Sequence, residues 1–482
     1  MKRNILVQGN FDVLHPGHIR LLKFAKECGD RLIVAINADS AMTISVQIGE
    51  KHRLEMVRSL ECVDEAFVTE LTPVEVVTKY RPSVVVKGKE FESQINLELD
   101  ELNVYGGKLI FGSGEFDIAS EQLYRQSSDL DKGFSYKELG GYIQRHLIRE
   151  TDFRSLFAKI AELNVGVIGD VIVDEYVQGN AVGLSQEDPT IVMTPSRTDI
   201  FLGGAAITAG HIRSIGAKQV SLFSVLGSDL QADYVRRSIQ KYKVEHYFFV
   251  DESRPTPLKT RYRVEKQTLL RVNQVRHHQI SSELQNNLFT EIEKKIVALD
   301  VLVFSDFNYG LLPQSLVDQI CMLCQLHNVK VVADSQTSSQ VGNISRYKNV
   351  FLMTPTEKEV RIALNNSDDG LVILAKKLCE ESAPKNLVIT LGGEGSFIHL
   401  PDLEGNNWKN DRLPAINNNA IDPAGAGDCY LATCSLFMAA GSSLWQASYV
   451  ANIAAACQVD TLGNVPLQYE LLQRSVARSL KC

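Results

Sequence analysis

Short apolar runs alternate with longer helical patterns over the first 115 residues of the chain. The runs are rich in Val, Ile and Leu, and they lie at 4–8, 31–37, 64–69, 83–87 and 107–111. Continuous apolar runs of this length are typical of strands that are buried on both faces. The alternation therefore predicts an α/β fold, with a parallel sheet covered by helices on both faces. Ligands of such sheets bind at the carboxyl ends of the strands.

A second α/β pattern follows after an interruption. The apolar pattern weakens from about 116 to 155, where polar clusters such as 126–133 occur, and a new strand candidate begins at 165–168. A chain of 482 residues is too long for one ordinary domain. We therefore predict a two-domain protein, with a first domain over 1–125, a connection over 126–160 and a second domain over 161–482.

Composition limits the class of protein. The hydrophobic fraction is 44%, and the net charge of −8 is spread along the chain without a basic run, which argues against nucleic-acid binding. No stretch approaches the roughly 18 apolar residues of a membrane helix, and no signal-peptide pattern is visible. We expect a cytoplasmic protein without a membrane partner. The pair Cys321 and Cys324 lies in an apolar helical run and reads as structural.

The ten residues from Gly9 to His18 read Gly-Asn-Phe-Asp-Val-Leu-His-Pro-Gly-His. They follow a buried-strand pattern and precede a helical one, so His15 and His18 lie where free backbone N–H groups and the helix dipole favour a phosphate. Imidazoles at this position can stabilise the charge that develops when a nucleoside triphosphate is attacked at its α-phosphate. A bare His-x-x-His, taken alone, favours the simpler interpretation of a solvated pair at a helix start.

The full string resembles the signature of the HxGH nucleotidyltransferases, which have a Rossmann-like fold. The resemblance implies that His15 and His18 are catalytic and hold the triphosphate. It further implies a nucleotide pocket formed by Gly9, Phe11, Asp12, Arg53 and Lys87, in which Arg53 balances phosphate charge.

A second phosphate motif occurs at 422–428, Asp-Pro-Ala-Gly-Ala-Gly-Asp, before a helical run. Its small residues allow a tight turn, and the amides of Gly425, Ala426 and Gly427 open a helix that can hold the phosphate being transferred. Asp428 beside that anion hole can accept the proton of an attacking hydroxyl. The plainer alternative is a glycine-rich turn with an aspartate helix cap.

Two further motifs share the order and spacing of a known family. The stretch 202–206 (Leu-Gly-Gly-Ala-Ala) precedes a helix, and 390–395 (Thr-Leu-Gly-Gly-Glu-Gly) follows a strand. With the motif at 422–428 they resemble the PfkB/ribokinase family of sugar kinases, over about 165–470. The resemblance implies Asp428 as the base and Glu359 as a support for magnesium through water. The other implied site residues are Thr390, Gly392, Gly395, Gly425, Ala426 and Gly427 for the nucleotide, and Asp174, Gly203, Gly204 and Lys259 for the substrate.

A closer resemblance exists within that family. The stretches 168–174, 259–261, 269–273 and 304–307 look like the heptose-7-phosphate kinase module, which bacterial enzymes carry fused to a heptose-1-phosphate nucleotidyltransferase. Both partners are present here, in what we expect to be the reverse order. Several polar or cationic family positions are changed, and the replacements are Ile207, Gly183, Tyr309 and Gln336.

Together these resemblances imply a bifunctional transferase. One domain would phosphorylate a sugar or sugar phosphate with ATP and Mg²⁺, and the other would transfer a nucleotidyl group from ATP, with CTP as an alternative, to a sugar 1-phosphate. The partners would be sugar phosphate and nucleoside triphosphate, in a homodimer. Two alternatives stay open: only one domain is catalytic and the other is a scaffold, or the protein is a sensor of both ligands.

Overall fold

The computed structural model describes residues 3–12, 14, 16–41, 48–88, 91, 96–112, 134–185, 187–188, 190–264, 267–337, 342–401, 409–417 and 420–481. Its contacts divide the chain into two compact units. Unit 1 comprises Met1–Lys132 with Gly370–Val372, and unit 2 comprises Gly133–Asp369 and Ile373–Cys482. In the described part of the chain, no helix is long and apolar enough to cross a membrane.

Unit 1 contains a five-stranded parallel sheet with the order β3-β2-β1-β4-β5. Its strands are β1 (Asn4–Gly9), β2 (Arg31–Asn37), β3 (Glu65–Thr69), β4 (Val84–Gly88) and β5 (Lys108–Gly112). Its helices are α1 (Pro16–Glu27), α2 (Glu50–Arg58), α3 (Pro73–Tyr80) and α4 (Glu98–Tyr105). All five predicted strands are confirmed to within a residue at each end, and so is their parallel arrangement.

The two faces of this sheet bury separate cores. Ile5 and Val7 pack with Leu22 of α1 on one face, whereas Leu6 packs with Val76 of α3 on the other. Successive side chains of a strand point to opposite faces, so a continuous apolar run fills both cores at once. The strand order reverses between β1 and β4, and the carboxyl end of β1 therefore opens at the switch point where α/β sheets bind ligands.

Unit 2 is built on a nine-stranded sheet, in the order β10-β9-β6-β13-β14-β15-β16-β17-β18. The strands are parallel except for the last two, which are added antiparallel. These strands are β6 (Asn164–Gly169), β9 (Gln219–Leu226), β10 (Glu245–Val250), β13 (Val301–Asp306), β14 (Lys330–Ser335), β15 (Leu352–Met353), β16 (Leu387–Thr390), β17 (Ser396–His399) and β18 (Asn410–Leu413).

A separate four-stranded sheet has the order β12-β11-β7-β8. Its strands are β7 (Val171–Leu184), β8 (Ile191–Gly204), β11 (Leu258–Val264) and β12 (Gln267–Gln274). Strand β7 begins two residues after β6 ends, so this second sheet starts directly at the carboxyl edge of the large one.

The helices of unit 2 pack around the large sheet. They are α5 (Gly140–Arg145), α6 (Glu150–Ile160), α7 (Ala205–Ile215), α8 (Leu230–Lys241), α9 (Ser282–Ile296), α10 (Gln314–Leu326), α11 (Glu357–Ala363), α12 (Leu371–Ser382), α13 (Ala426–Ala439), α14 (Leu444–Val459) and α15 (Tyr469–Ser479). Helices α13 and α14 are buried over most of their length, which fits their apolar sequences.

The predicted connection at 126–160 lies partly outside the described residues, and its second half is part of unit 2. The ring of Phe157 packs edge-on against Phe437 of α13 at 5.1 Å, and the Tyr142 hydroxyl donates to the Trp445 carbonyl at 3.0 Å. Phe153 and Ile160 are buried in the same core. Residues 134–160 are therefore a structural element of unit 2, because their aromatic side chains complete its core.

The cysteines at 321 and 324 are structural, as the sequence indicates. Both lie in α10, Cys324 is fully buried, and neither forms a disulfide. Burial raises the pKa of both thiols to about 12, which keeps them in the unreactive protonated form.

Candidate active sites

The first candidate site follows β1 in unit 1. Phe11 has a backbone φ of 51°, a left-handed conformation that is costly for a bulky residue and is found where the surroundings enforce it. The Phe11 ring is buried, and a Cβ added to Gly9 would lie 3.2 Å from it. The ring also packs against the His18 imidazole, with 5.1 Å between the two ring centroids. The turn thus brings His18, in the first turn of α1, next to the end of β1. His15 lies outside the described residues.

Arg53 stabilises the turn after β1 by hydrogen bonds. Its side chain is fully buried, and its guanidinium donates to the carbonyl of Ile48 at 2.9 Å, to the carbonyl of Asn10 and to the carboxylate of Asp39. Asp12 accepts the Ile48 amide at 2.9 Å. The guanidinium therefore organises the turn through protein acceptors. Its expected role in balancing phosphate charge stays a prediction.

A chain of side-chain amides links the strand ends at this site. Gln8 donates to Asn37 at 2.9 Å, and Asn37 donates to Asn10 at 2.6 Å. Gln8 also donates to the carbonyl of Leu71 at 3.0 Å. These contacts fix the turn that carries the HxGH string. Sequence reasoning missed them, since a single Asn or Gln at a strand end carries no pattern of its own.

Lys87 lies in β4, the neighbour of β1 across the switch point. Its ammonium group donates to Asn96 at 2.8 Å and pairs with Glu98, whose side chain is buried. The positive charge is thus balanced within unit 1. A direct contact between Lys87 and a nucleotide remains a prediction.

The second candidate site is centred on the turn 422–428 in unit 2. Asp422 accepts the Ala424 amide at 3.1 Å through one carboxylate oxygen and the Gly463 amide at 3.0 Å through the other. Gly425 has a φ of 76°, which favours glycine, and α13 begins at the next residue. The Ala426 amide donates to the Pro423 carbonyl at 3.4 Å. The binding of a phosphate by the amides of Gly425, Ala426 and Gly427 stays a prediction.

Asp428 lies in the first turn of α13 and is 6% exposed. Its Oδ1 accepts hydrogen bonds from Thr208 at 3.2 Å and from Gln336 at 3.3 Å. Burial raises the pKa of this carboxyl to about 7, although the bond from Thr208 and the charge of Lys259 oppose the rise. A carboxyl group that titrates near neutral pH is suited to accept a proton from a substrate hydroxyl. The raised pKa therefore favours the role of Asp428 as a base over that of a simple helix cap.

Asp174 lies in β7 and faces the same region. Arg261 pairs with its Oδ1, and Asn464 donates from Nδ2 to its Oδ2 at 2.8 Å. A Cβ on Gly203 would lie 2.2 Å from Asp174 Oδ2, so only glycine allows the two strands to hold the carboxylate in this position. Gly204 has a φ of 61° and starts α7. The predicted substrate residues of β7 and β8 therefore lie together.

Lys259 completes the group from β11. It is 5% exposed, and its ammonium lies over the rings of Phe307 at 4.7 Å and Tyr309 at 5.6 Å. Its charge also lowers the pKa of Asp428. Tyr309, at a position where a lysine was expected, therefore contacts this cation through its ring face.

Glu359 lies in the first turn of α11 and is 5% exposed. Its carboxylate accepts the amides of Thr356 at 2.7 Å and Thr337 at 2.8 Å. Burial raises the pKa of Glu359, and it raises that of Asp334 as well, where the charges of Glu359 and Asp428 add to the effect. Glu359 caps α11, and its support of magnesium stays a prediction. Among the residues described, no cluster of three acidic, His or Cys side chains forms a metal site.

The turn 390–395 lies at the carboxyl end of β16. Thr390 pairs with Thr356 in an isolated bridge, and the Leu391 amide donates to the Gly395 carbonyl at 2.8 Å. Gly392 and Gly395 have φ values of 59° and 94°. A Cβ on Gly395 would lie 1.9 Å from the Leu413 carbonyl oxygen. Only glycine fits there, because the backbone that follows β18 occupies the space, and a contact between this loop and a nucleotide stays a prediction.

Thr208 and Asn464 contact the candidate site residues Asp428 and Asp174, and sequence reasoning missed both of them. Thr208 follows Ile207, which is fully buried and faces the core instead of the site. Asn464 lies in a loop after α14 that carries no motif. Neither residue stands in a pattern that singles it out, and only the packing of α7 and this loop against α13 reveals them.

The site thus combines a buried carboxyl, Asp428, with a glycine turn at the start of a helix in an α/β unit. The family model described as pfkB family carbohydrate kinase matches residues 163–467, and the chain belongs to that family. Residues 6–123 match the model described as cytidylyltransferase-like. Both expected domain types, and the two-domain α/β fold, are confirmed.

Similar proteins are described as bifunctional. The chain is 29% identical over 65% of its length to "Bifunctional protein HldE" of Geotalea uraniireducens, and 31% identical over 62% of its length to the protein of that name from Helicobacter acinonychis. The chain spans about 62% and 63% of the lengths of these relatives. The expected reversal of domain order finds no support in these matches, and we withdraw it.

Solved structures resemble unit 2 in fold. Ribokinase from Thermotoga maritima is 17% identical with a TM-score of 0.51, and the match covers 65% of this chain and 99% of that protein. At this identity the likeness concerns the fold alone, and it places the large sheet and its helices in the ribokinase-like class.

Proposed function

We propose that this chain is a bifunctional enzyme that makes a nucleotide-activated sugar. Unit 2 phosphorylates a sugar phosphate, with heptose 7-phosphate as the first candidate, at its anomeric oxygen. Unit 1 transfers a nucleotidyl group from ATP or CTP to the resulting sugar 1-phosphate and releases pyrophosphate. The single observation that carries the proposal is Asp428, which is buried next to the glycine turn of α13 with a pKa of about 7.

In the kinase reaction, Asp428 accepts the proton of the attacking hydroxyl. The sugar oxygen then forms a bond to the γ-phosphorus of ATP while the bond to the β–γ bridging oxygen breaks, and ADP leaves. The amides from Gly425 to Gly427 hold the transferred phosphoryl group at the start of α13. Lys259 supplies positive charge close to Asp428.

Magnesium is the usual companion of ATP in such reactions, where it neutralises phosphate charge. The buried carboxylates Asp334 and Glu359 fit it chemically as supports, since Mg²⁺ prefers oxygen ligands and the charge of Glu359 raises the pKa of both Asp334 and Asp428, which are therefore close to it. The assignment of Mg²⁺ and ATP as cofactor and phosphoryl donor rests on this fit and on the family.

In the nucleotidyl transfer, the phosphate oxygen of the sugar 1-phosphate is already ionised and attacks the α-phosphorus without a general base. His18 lies at the switch point of the sheet, where it donates a hydrogen bond to the phosphate oxygens as charge develops. His15 is proposed in the same role from the HxGH string. The turn held by Arg53 and Asp12 fixes the backbone that receives the triphosphate.

The test is to measure ADP formation and pyrophosphate release separately. Purified protein is incubated with ATP or CTP and with heptose 7-phosphate, mannose 6-phosphate, fructose 6-phosphate or ribose 5-phosphate. Both products, formed in sequence, support the bifunctional enzyme. One product alone would show that the other domain is a scaffold. Ligand binding without either product would support a sensor.

We further propose a homodimer, located in the cytoplasm where nucleotides and phosphorylated sugars are available. The support is the face of the four-stranded sheet that is turned away from Asp174. Because neighbouring residues alternate between faces, this outer face carries Ile200, Leu270 and Val272, which are 41%, 57% and 39% exposed. An apolar sheet face of this kind is typical of a subunit contact. Light scattering on the eluted protein measures the oligomer.

A further inference from the structure

Asn464 is a buried side-chain amide whose nitrogen donates a hydrogen bond and whose oxygen accepts none among the described residues. It is 4% exposed, and its Nδ2 donates to Asp174 Oδ2 at 2.8 Å. Its Oδ1 has no hydrogen-bond partner among the residues that the structure describes. A buried carbonyl oxygen without a donor is unfavourable, so such groups call for an explanation.

The loop that carries Asn464 is fixed on both sides. The Gly463 amide donates to Asp422 at 3.0 Å, and the Gly463 carbonyl accepts from Gln458 at 3.1 Å. Gly463 has a φ of 75°, and a Cβ there would lie 2.5 Å from the ring of Phe201. Asp422, which also accepts the Ala424 amide in the turn 422–428, therefore fixes the backbone next to Asn464.

The free oxygen points at the kinase site. Asn464 Oδ1 lies 2.3 Å from where a Cβ on Gly425 would be, and its Nδ2 lies 3.3 Å from where a Cβ on Gly203 would be. Two glycines thus allow the close approach of the Asn464 side chain, which lies between Gly425 of the turn 422–428 and the substrate residues Asp174 and Gly203.

We propose that Asn464 is a specificity-determining residue of the kinase site: its Nδ2 holds Asp174, and its Oδ1 accepts a hydrogen bond from a hydroxyl group of the sugar. The pair offers two neighbouring acceptors, an amide oxygen and a carboxylate. It therefore suits two hydroxyl donors of a polyol, in addition to the hydroxyl that reacts at Asp428. This inference rests on the proposed sugar-kinase function and names a determinant of its substrate choice.

The experiment is a thermodynamic cycle that combines the substitution of Asn464 with the removal of single hydroxyl groups from the sugar. The four sugar phosphates named above are first ranked by calorimetric binding to the wild-type protein, and the tightest binder is then compared with its monodeoxy analogues. For one hydroxyl position we expect the deoxy analogue to bind wild type about tenfold more weakly, the typical worth of such a bond. Asn464→Ala should lower the affinity for the parent sugar at least as much, yet discriminate less than twofold against that analogue.

A matched control separates this effect from general destabilisation. Asn452 is equally buried and donates from Nδ2 to the Pro414 carbonyl at 2.9 Å. Asn452→Ala should leave sugar affinity and the discrimination between analogues unchanged. Affinity for ATP should be the same, within twofold, in all three proteins.

The outcomes are distinct. If every deoxy analogue loses the same factor in Asn464→Ala as in wild type, Asn464 contacts no hydroxyl and the inference is overturned. A wild-type protein that binds one of these sugars without phosphorylating it contradicts the kinase function but leaves the hydroxyl contact measurable. A protein that binds none of the four sugars overturns both.

Discussion

The hydroxyl oxygen of Thr208 lies 3.2 Å from both Asp428 Oδ1 and the carbonyl oxygen of Gly204. A hydroxyl has one proton, so the two acceptors share it. Thr208 therefore connects the carboxyl that we propose as the base to the glycine turn that begins α7. The protonation state of Asp428 decides which acceptor the Thr208 proton favours.

Replacing Asp428 by Asn tests the proposed base. The amide keeps the size of the side chain but does not take up a proton at neutral pH, so phosphorylation should fall by roughly a hundredfold or more. ADP formation measures this loss, while pyrophosphate release from a supplied sugar 1-phosphate should persist. The exposed Asp460, changed to Asn, serves as the control. A wild-type rate in Asp428→Asn would show that this aspartate is only a helix cap.

The pH dependence of phosphorylation follows from the raised pKa of Asp428. A base works only when ionised, so kcat/KM should rise with pH and level off above about 7. The bond from Thr208 lowers this pKa, so Thr208→Val should move the midpoint of the profile to higher pH. Rates measured from pH 5.5 to 9 decide the point, and a profile that is flat above pH 5 would contradict it.

His18→Ala tests the nucleotidyl-transfer site. Loss of a contact that strengthens in the transition state costs on the order of 3 kcal/mol, about a hundredfold in rate. Pyrophosphate release should fall by that factor while ADP formation continues. His52, which is exposed on α2, provides the matched His→Ala control. Unchanged pyrophosphate release in His18→Ala would remove this histidine from the site.

Arg53 is expected to contribute mainly to stability. Arg53→Met removes three hydrogen bonds from a fully buried guanidinium, which should lower the free energy of unfolding of unit 1 by roughly 2–4 kcal/mol. Arg53→Lys should recover little, because an ammonium group does not reach three acceptors in a fork. Urea unfolding of fragment 1–132 measures both changes. A Met variant as stable as wild type would contradict the proposed role.

The division of the chain predicts which fragments fold. Fragment 133–482 should unfold in one cooperative thermal transition, because it keeps α5 and α6 with their aromatic residues. Fragment 161–482 begins near the family match but lacks Phe153 and Phe157, so it should bind a hydrophobic dye and lose the sharp transition. Equal melting behaviour of the two fragments would show that residues 134–160 are dispensable.

The sequence was sufficient for the fold of unit 1 and for the motifs at both sites. Apolar runs that alternate with helical patterns favour a parallel sheet covered on both faces, and Gly425 and Gly395 have positive φ values, which favour glycine. The role of Arg53 was not accessible, since a buried and an exposed arginine look alike in sequence. Asn464 was equally hidden, because its partner Asp174 is 290 positions away.

The bond from Tyr142 to Trp445 spans 303 positions in the chain, and it has a consequence for synthesis. The strands of unit 1 pair within the first 112 residues, so this unit can fold soon after it leaves the ribosome. The aromatic side chains of α5 and α6 stay exposed until α13 and α14 have been translated, because their packing partners lie in those helices. During that interval the nascent chain offers a natural binding segment for chaperones, and a prematurely terminated chain keeps it exposed.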